Sequence, residues 1–127
     1  MTVEAGVLLD LNQQPLYWHI PPDRSGGALP DSRDLWDVIW ENRNNISGFA
    51  HSHPGGGVPG PSHTDITTFA AVESGLGKRL IWWIISSDAA VRCDYIGVQD
   101  KYDYEVRRVG YGSPWVPRLR ELSGYDT

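Results

Sequence analysis

The chain has 127 residues, enough for one domain and too few for two of ordinary size. With 40% hydrophobic and 21% charged residues its composition is globular, which excludes wholesale disorder. A net charge of −5 argues against a surface built to coat nucleic acid, and the single cysteine, Cys93, excludes an internal disulfide and a multi-cysteine metal cluster.

The chain opens without a basic start or a small-residue cleavage site, so no secretory signal is read and a reducing cytoplasm is the expected compartment. Residues 3–11 form a short apolar run closed by Asn12-Gln13-Gln14-Pro15, and Leu16, Tyr17, Trp18, His19 and Ile20 resume it, which predicts a hairpin. Pro21 and Pro22 stop the second strand, and residues 23–30 are a polar loop. The period then changes. Leu35, Trp36, Ile39 and Trp40 recur at helical spacing, after Asp31 or Ser32 as a cap and before the stop signal Asn44-Asn45.

Residues 46–51 read as a short strand running into a glycine- and proline-rich loop at 53–61. A second helix is expected to begin near residues 62–65, to bury Ile66, Phe69, Ala70 and Val72, and to end at Gly75 and Gly77. Residues 80–85 are apolar on both faces, the mark of a strand buried in mid-sheet; the run is far too short to cross a membrane. Two more strands are read at 91–98 and 104–109. The order β-β-α-β-α-β-β-β predicts an α/β domain over residues 1–109, a mixed sheet with helices packed on it. Residues 110–127 are read as a C-terminal tail, for which one helical turn and loose chain both fit. Six tryptophans supply ring bulk with which a small domain buries apolar area, and ligand stacking is the competing role. Gly55-Gly56-Gly57 lacks the Lys-Ser/Thr of a phosphate-binding loop.

Chemistry concentrates in His51-Ser52-His53-Pro54, the spacer to Gly60, and Pro61-Ser62-His63-Thr64-Asp65. On an extended chain residues i and i+2 project to one side, so His51 and His53 can present two imidazoles to one point. The loop then returns to a helix start that delivers Asp65. Two imidazoles and a carboxylate are a zinc ligand set, and three protein ligands leave a position open for water. Loop histidines without a metal, and a capping box in which Ser62 and Asp65 bond reciprocally, explain the same letters. The cap and the metal are compatible.

Taken together the segment resembles the JAMM (MPN+) metalloprotease motif: His-Ser/Thr-His-Pro, a spacer, then Pro-Ser-x-x-Asp. Six such residues in order arise by chance on the order of once in tens of millions of starting positions, and spacing freedom erodes that about tenfold. The resemblance implies a deaminase-like α/β sandwich with a mixed, mostly antiparallel sheet, covering residues 3–109. It implies Zn2+ held by His51, His53 and Asp65, with Ser62 donating to the oxyanion of the tetrahedral intermediate. It also implies an upstream glutamate as general base, for which Glu4 in Glu4-Ala5-Gly6-Val7-Leu8-Leu9 is the match; an exposed edge-strand charge is the plain alternative. Glu41 and Glu73 stand second and are read as solvated helix-face charges. His63 falls at a variable position of the motif and is given no role.

This chain departs from the family pattern in three ways. Its spacer has eight residues where seven are usual, Gly6 follows Glu4 by two residues where three are usual, and only three residues precede Glu4. It looks like a minimal prokaryotic or phage version. The function implied is zinc-dependent hydrolysis of a peptide or isopeptide bond. The substrate implied is an extended C-terminal tail of a ubiquitin-like or sulfur-carrier protein, lying along a sheet edge by strand addition. The alternatives are a non-catalytic interaction module of the same fold and a relative of the RadC branch linked to DNA repair. No nucleic-acid or membrane partner is expected.

Overall fold

A computed structural model describes residues 2–97 and 100–125. The hairpin forms as β1 (Gly6–Asp10) and β2 (Pro15–His19), antiparallel with a register shift at Leu8/Leu9. Helix α1 (Arg33–Glu41) starts at Ser32, whose hydroxyl accepts the Leu35 amide at 3.0 Å. Strand β3 (Ile46–Ser52) leads through the glycine-rich loop to α2 (His63–Leu76). This helix runs through Gly75 and ends at Gly77, where φ is +69°. Next come β4 (Ile81–Ile85), β5 (Ala90–Tyr95), β6 (Tyr104–Val109) and a third helix, α3 (Val116–Leu122). The expected strand at 91–98 stops at Tyr95 as β5, and Val98 lies outside the described residues.

The six strands form one mixed sheet in the order β2-β1-β3-β4-β5-β6. Only β3 and β4 run parallel, joined by the crossover through α2; the other four pairings are antiparallel. Strand alternation splits the core in two. Val7, Leu9, Ala50, Trp83 and Ile85 pack with Val116 and Leu119 of α3. Leu8, Ile46, Trp82 and Ile84 pack with Leu35 and Ile39 of α1 and Phe69 and Val72 of α2. Trp82, Trp83 and Trp115 are buried, as the bulk-burying role requires, while Trp36 and Trp40 remain exposed. Gly48 is forced by close approach, because a Cβ there would stand 1.8 Å from the Ile81 carbonyl oxygen across the parallel β3–β4 pair. Among the described residues no helix is long and apolar enough to cross a membrane.

Two readings are decided here. Of the two fits for the segment after Gly110 the helical one holds, as α3, and the domain extends beyond the expected bound at 109: Trp115, Val116, Leu119 and Tyr125 are buried on the sheet, so the packed core runs on to Tyr125. Glu73 is not a solvated helix-face charge but 2% exposed. Its carboxylate accepts the Leu80 amide at 2.8 Å, the Trp82 indole at 3.2 Å, Arg79 at 3.2 Å and the Tyr104 hydroxyl, and that set of partners makes the burial of the charge tolerable. Glu41, by contrast, is exposed as read.

Leu119→Ala tests the place of α3 directly. Because Leu119 has no exposed surface, truncation should cost about 2–5 kcal/mol, read as a fall in the urea midpoint at unchanged slope. A loose tail would leave the midpoint where it was.

Candidate metal centre

The alternation of β3 builds the centre. Phe49, His51 and His53 face the α1/α2 side, and Ala50 and Ser52 face α3. The two imidazoles therefore meet, with Nε2 to Nε2 at 3.1 Å. At the start of α2, Ser62 caps the helix: its hydroxyl accepts the Asp65 amide at 3.0 Å, and its own amide donates to Asp65 Oδ2 at 2.9 Å. This capping box holds the carboxylate against both histidines, Oδ1 at 3.4 Å from His51 Nε2 and Oδ2 at 3.2 Å from His53 Nε2. The capping reading of the Ser62–Asp65 pair holds, and the capped carboxylate also faces the histidines.

Glu4 arrives from the neighbouring strand. Gly6 pairs with His51, and extending that antiparallel register by two residues sets Glu4 opposite His53, on the same face. Its carboxylate and the two imidazoles each bring a potential ligand atom within 4.8 Å of the others. Gly6, two residues on, leaves space on this face: a Cβ there would lie 2.3 Å from the Phe49 ring. The two-residue spacing of Glu4 and Gly6 thus has a structural reason of its own.

A tetrahedral ion with bonds of about 2.0–2.1 Å spaces its ligand atoms by about 3.3–3.4 Å. The imidazole nitrogens, 3.1 Å apart, come close to that edge length, and the Asp65 carboxylate offers each of them a different oxygen, Oδ1 at 3.4 Å to His51 and Oδ2 at 3.2 Å to His53. Glu4 lies close enough to be a ligand as well: the group whose potential ligand atoms all lie within 4.8 Å of one another is Glu4, His51 and His53, while Asp65 meets the cluster through the two histidines.

Protonation separates the two carboxylates. Burial pushes Glu4 above its ordinary carboxyl value, with His51 and His53 opposing and Asp65 adding to the rise. Burial acts the same way on Asp65, but hydrogen bonds from His51 and His53 outweigh it and hold this carboxyl well below the usual range. Asp65 is the fixed anion of the site. Its hydrogen bond in turn raises His53 above the ordinary imidazole value, against the effect of burial.

Residues that the sequence does not point to hold these groups from behind. Ser52 Oγ accepts the Ala5 amide at 3.0 Å and the Ser123 hydroxyl at 2.7 Å. Arg24 Nη1 donates to the carbonyls of Glu4 at 3.2 Å and Leu122 at 2.8 Å, and the Glu4 amide donates to Ser25. Tyr125, its phenol pushed up to about 12 by burial, donates to the His53 carbonyl. The glycine loop is tied as well: the Gly57 amide donates to Asp88 at 2.7 Å and the Gly57 carbonyl accepts the Ser86 hydroxyl. Strand alternation could have flagged Ser52, which must face away from the histidines. The residues of the chain's end carry no local signal of this role.

The centre lies at one end of a cavity of about 620 Å³ over the sheet between α1 and α2. Ser62 lines it, its hydroxyl hydrogen still free of the capping bond. His19, also missed, holds the rim: it is buried, burial lowers its pKa, and its ring nitrogen donates to the Pro30 carbonyl at 2.6 Å. His63 is exposed beside Tyr102 and stands apart from the cluster; Glu41 and Glu73 are not brought to it. The free sheet edges are β2 and β6, whereas the centre sits at the ends of the inner strands β1 and β3. A substrate added as an edge strand would lie one strand away. No protein-family model matches the chain, and no curated protein matches it.

Zinc and pH should act with opposite signs on the histidines. In the metal-free protein the raised His53 pKa contributes stability that is complete below about pH 6.5 and fades as pH rises through the raised value. Zinc takes neutral imidazole and releases the proton, so its binding strengthens with pH. The thermal shift produced by zinc should therefore grow between about pH 5.5 and 8. Metal analysis should find one ion per chain, lost in His53→Ala and Asp65→Ala.

Proposed function

We propose that the chain is a zinc-dependent hydrolase of peptide or isopeptide bonds, of the JAMM type that its His51-Ser52-His53-Pro54 and Pro61-Ser62-His63-Thr64-Asp65 segments resemble. The observation that carries this reading is the meeting of His51, His53 and Asp65 at ligand spacing with a buried carboxylate, Glu4, in the same corner of a cavity.

His51, His53 and Asp65 are the ligands, and the deaminase-like sandwich of the resemblance accords with the mixed sheet. Zinc supplies two things when bound: a water acidified toward a pKa of about 7 and a polarised substrate carbonyl. Glu4 takes the proton of the attacking water. Burial raises its pKa in the protein alone, the direction that makes a carboxylate a better proton acceptor. The same carboxyl passes that proton to the departing amine. Ser62, with its lone pair committed to the Asp65 amide, points its hydrogen at the oxyanion that develops on the carbonyl. The resemblance nominates the tail of a ubiquitin-like or sulfur-carrier protein as substrate. The cavity, and not a sheet edge, is where the scissile bond enters.

Glu4→Gln should keep its zinc and lose about 10²–10⁴ in kcat. If Glu4 were a ligand, zinc would leave with it. Ser62→Ala should lose about 10²–10³ in kcat. It should also lose about 1 kcal/mol of stability from the helix cap. Melting and turnover read these two effects separately. Tight binding of a protein partner, indifferent to chelation and without turnover of any peptide, would favour the interaction module instead.

A further inference from the structure

The cavity is much larger than a metal centre and a peptide backbone need. Its volume of about 620 Å³ falls among sites that enclose drug-sized molecules, roughly 300–1,000 Å³. Its composition changes along its length. At one end stand Glu4, the two histidines, Ser62 and Asp65. Directly behind His51 begins an aromatic floor: the Phe69 ring lies 6.5 Å from the His51 ring, and the Trp82 ring stacks on Phe69 at 4.4 Å with 15° between planes. Phe49 closes one wall at 6.4 Å from Trp82, with Leu29 beside it, and the half-exposed Trp36 stands at the mouth.

Polar groups deep along this stretch are already committed. The Trp82 indole donates to Glu73, and the His19 ring donates to the Pro30 carbonyl. The remaining polar lining, Asp31, Thr64 and Thr68, belongs to loop and helix positions with partial or full exposure. Phe69 and Trp82 are only 2% and 4% exposed, so the surface an occupant meets is that of the partly exposed Phe49 and Leu29 and the half-exposed Trp36. With the Asp31 carboxylate at the exposed rim, this lining is weighted toward a large apolar side chain.

Resting on the hydrolase reading above, we propose that this cavity is a specificity pocket for a bulky apolar side chain, aromatic above all, next to the cleaved bond. The substrate class is then a peptide with Phe, Tyr, Trp or Leu flanking the scissile bond. A tail ending in glycines leaves the pocket empty.

The test uses the full zinc-loaded chain and matched fluorogenic peptides that differ only in the residue on either side of the scissile bond. Exchanging Gly for Phe should raise kcat/KM at least about 10-fold at one of the two positions. Leu29→Trp and Thr68→Trp fill the pocket from its wall and rim, and either should collapse that Phe/Gly ratio toward one; circular dichroism checks that each is folded. The second readout is the indole N–H resonance of Trp82 during titration with N-acetylphenylalaninamide, with and without zinc, which should shift in both states. Zinc-dependent cleavage that is as fast or faster beside glycine, with no Trp82 shift, would overturn the pocket and leave the hydrolase standing. A Trp82 shift with no cleavage of any peptide would instead overturn the hydrolase reading and the substrate claim with it.

Discussion

Two imidazoles and two carboxylates share one shielded corner of this protein, and their charge has to be balanced there. Glu4 and Asp65 each approach the same two imidazoles, so two carboxylates act on one pair of histidines in a partly buried site. Burial shifts Glu4 toward its protonated form and the Asp65 hydrogen bond does the same for His53, while hydrogen bonds from the two histidines hold Asp65 as the anion. A divalent cation meets the same demand with one particle and at the spacing already set by Nε2, Nε2 and the carboxylate.

The rest of the fold serves that corner by giving each face of β3 a separate task. The front face carries His51 and His53 and continues into Phe49 and the aromatic floor. The back face carries Ser52, whose hydroxyl joins Ala5 to Ser123 and so ties the strand bearing Glu4 to the segment after α3. Close packing is what makes the division hold: Gly6 admits the Phe49 ring, and Gly48 lets β3 and β4 approach. The capping box at Ser62 brings the Asp65 carboxylate to the two histidines where the loop turns back into α2. Its carboxylate rotamer is fixed by a helix N-terminus, which a loop alone would not do.

Much of this was legible because the governing interactions are local. The i, i+2 rule puts His51 with His53, the cap places Asp65, and the apolar run at 80–85 announces a central strand. What stayed hidden depends on distant partners. Glu73 looks like a surface charge in its own helix, and only residues 79–82 and Tyr104 turn it into a buried hub. The buried side of α2 is similarly shifted, with Ile66 and Ala70 only partly covered. Pro114, Pro117 and a charged stretch disguise α3, whose apolar positions Val116 and Leu119 acquire meaning only against Ala50 and Trp83. The cavity has no sequence signature, being the space that α1 and α2 leave between them.

The meeting of the two ends of the described chain has a consequence for how the molecule comes into being. The Val3 amide donates to the Ser123 carbonyl, Arg24 bridges Glu4 and Leu122, and Tyr125 grips the loop at His53. During translation residues 119–125 are the last of these to leave the ribosome, long after both histidines and Asp65 have emerged. The nascent chain can assemble its sheet early, yet the corner is clamped from behind only once residues 119–125 have emerged, so the histidines and carboxylates meet before the contacts that hold them are in place.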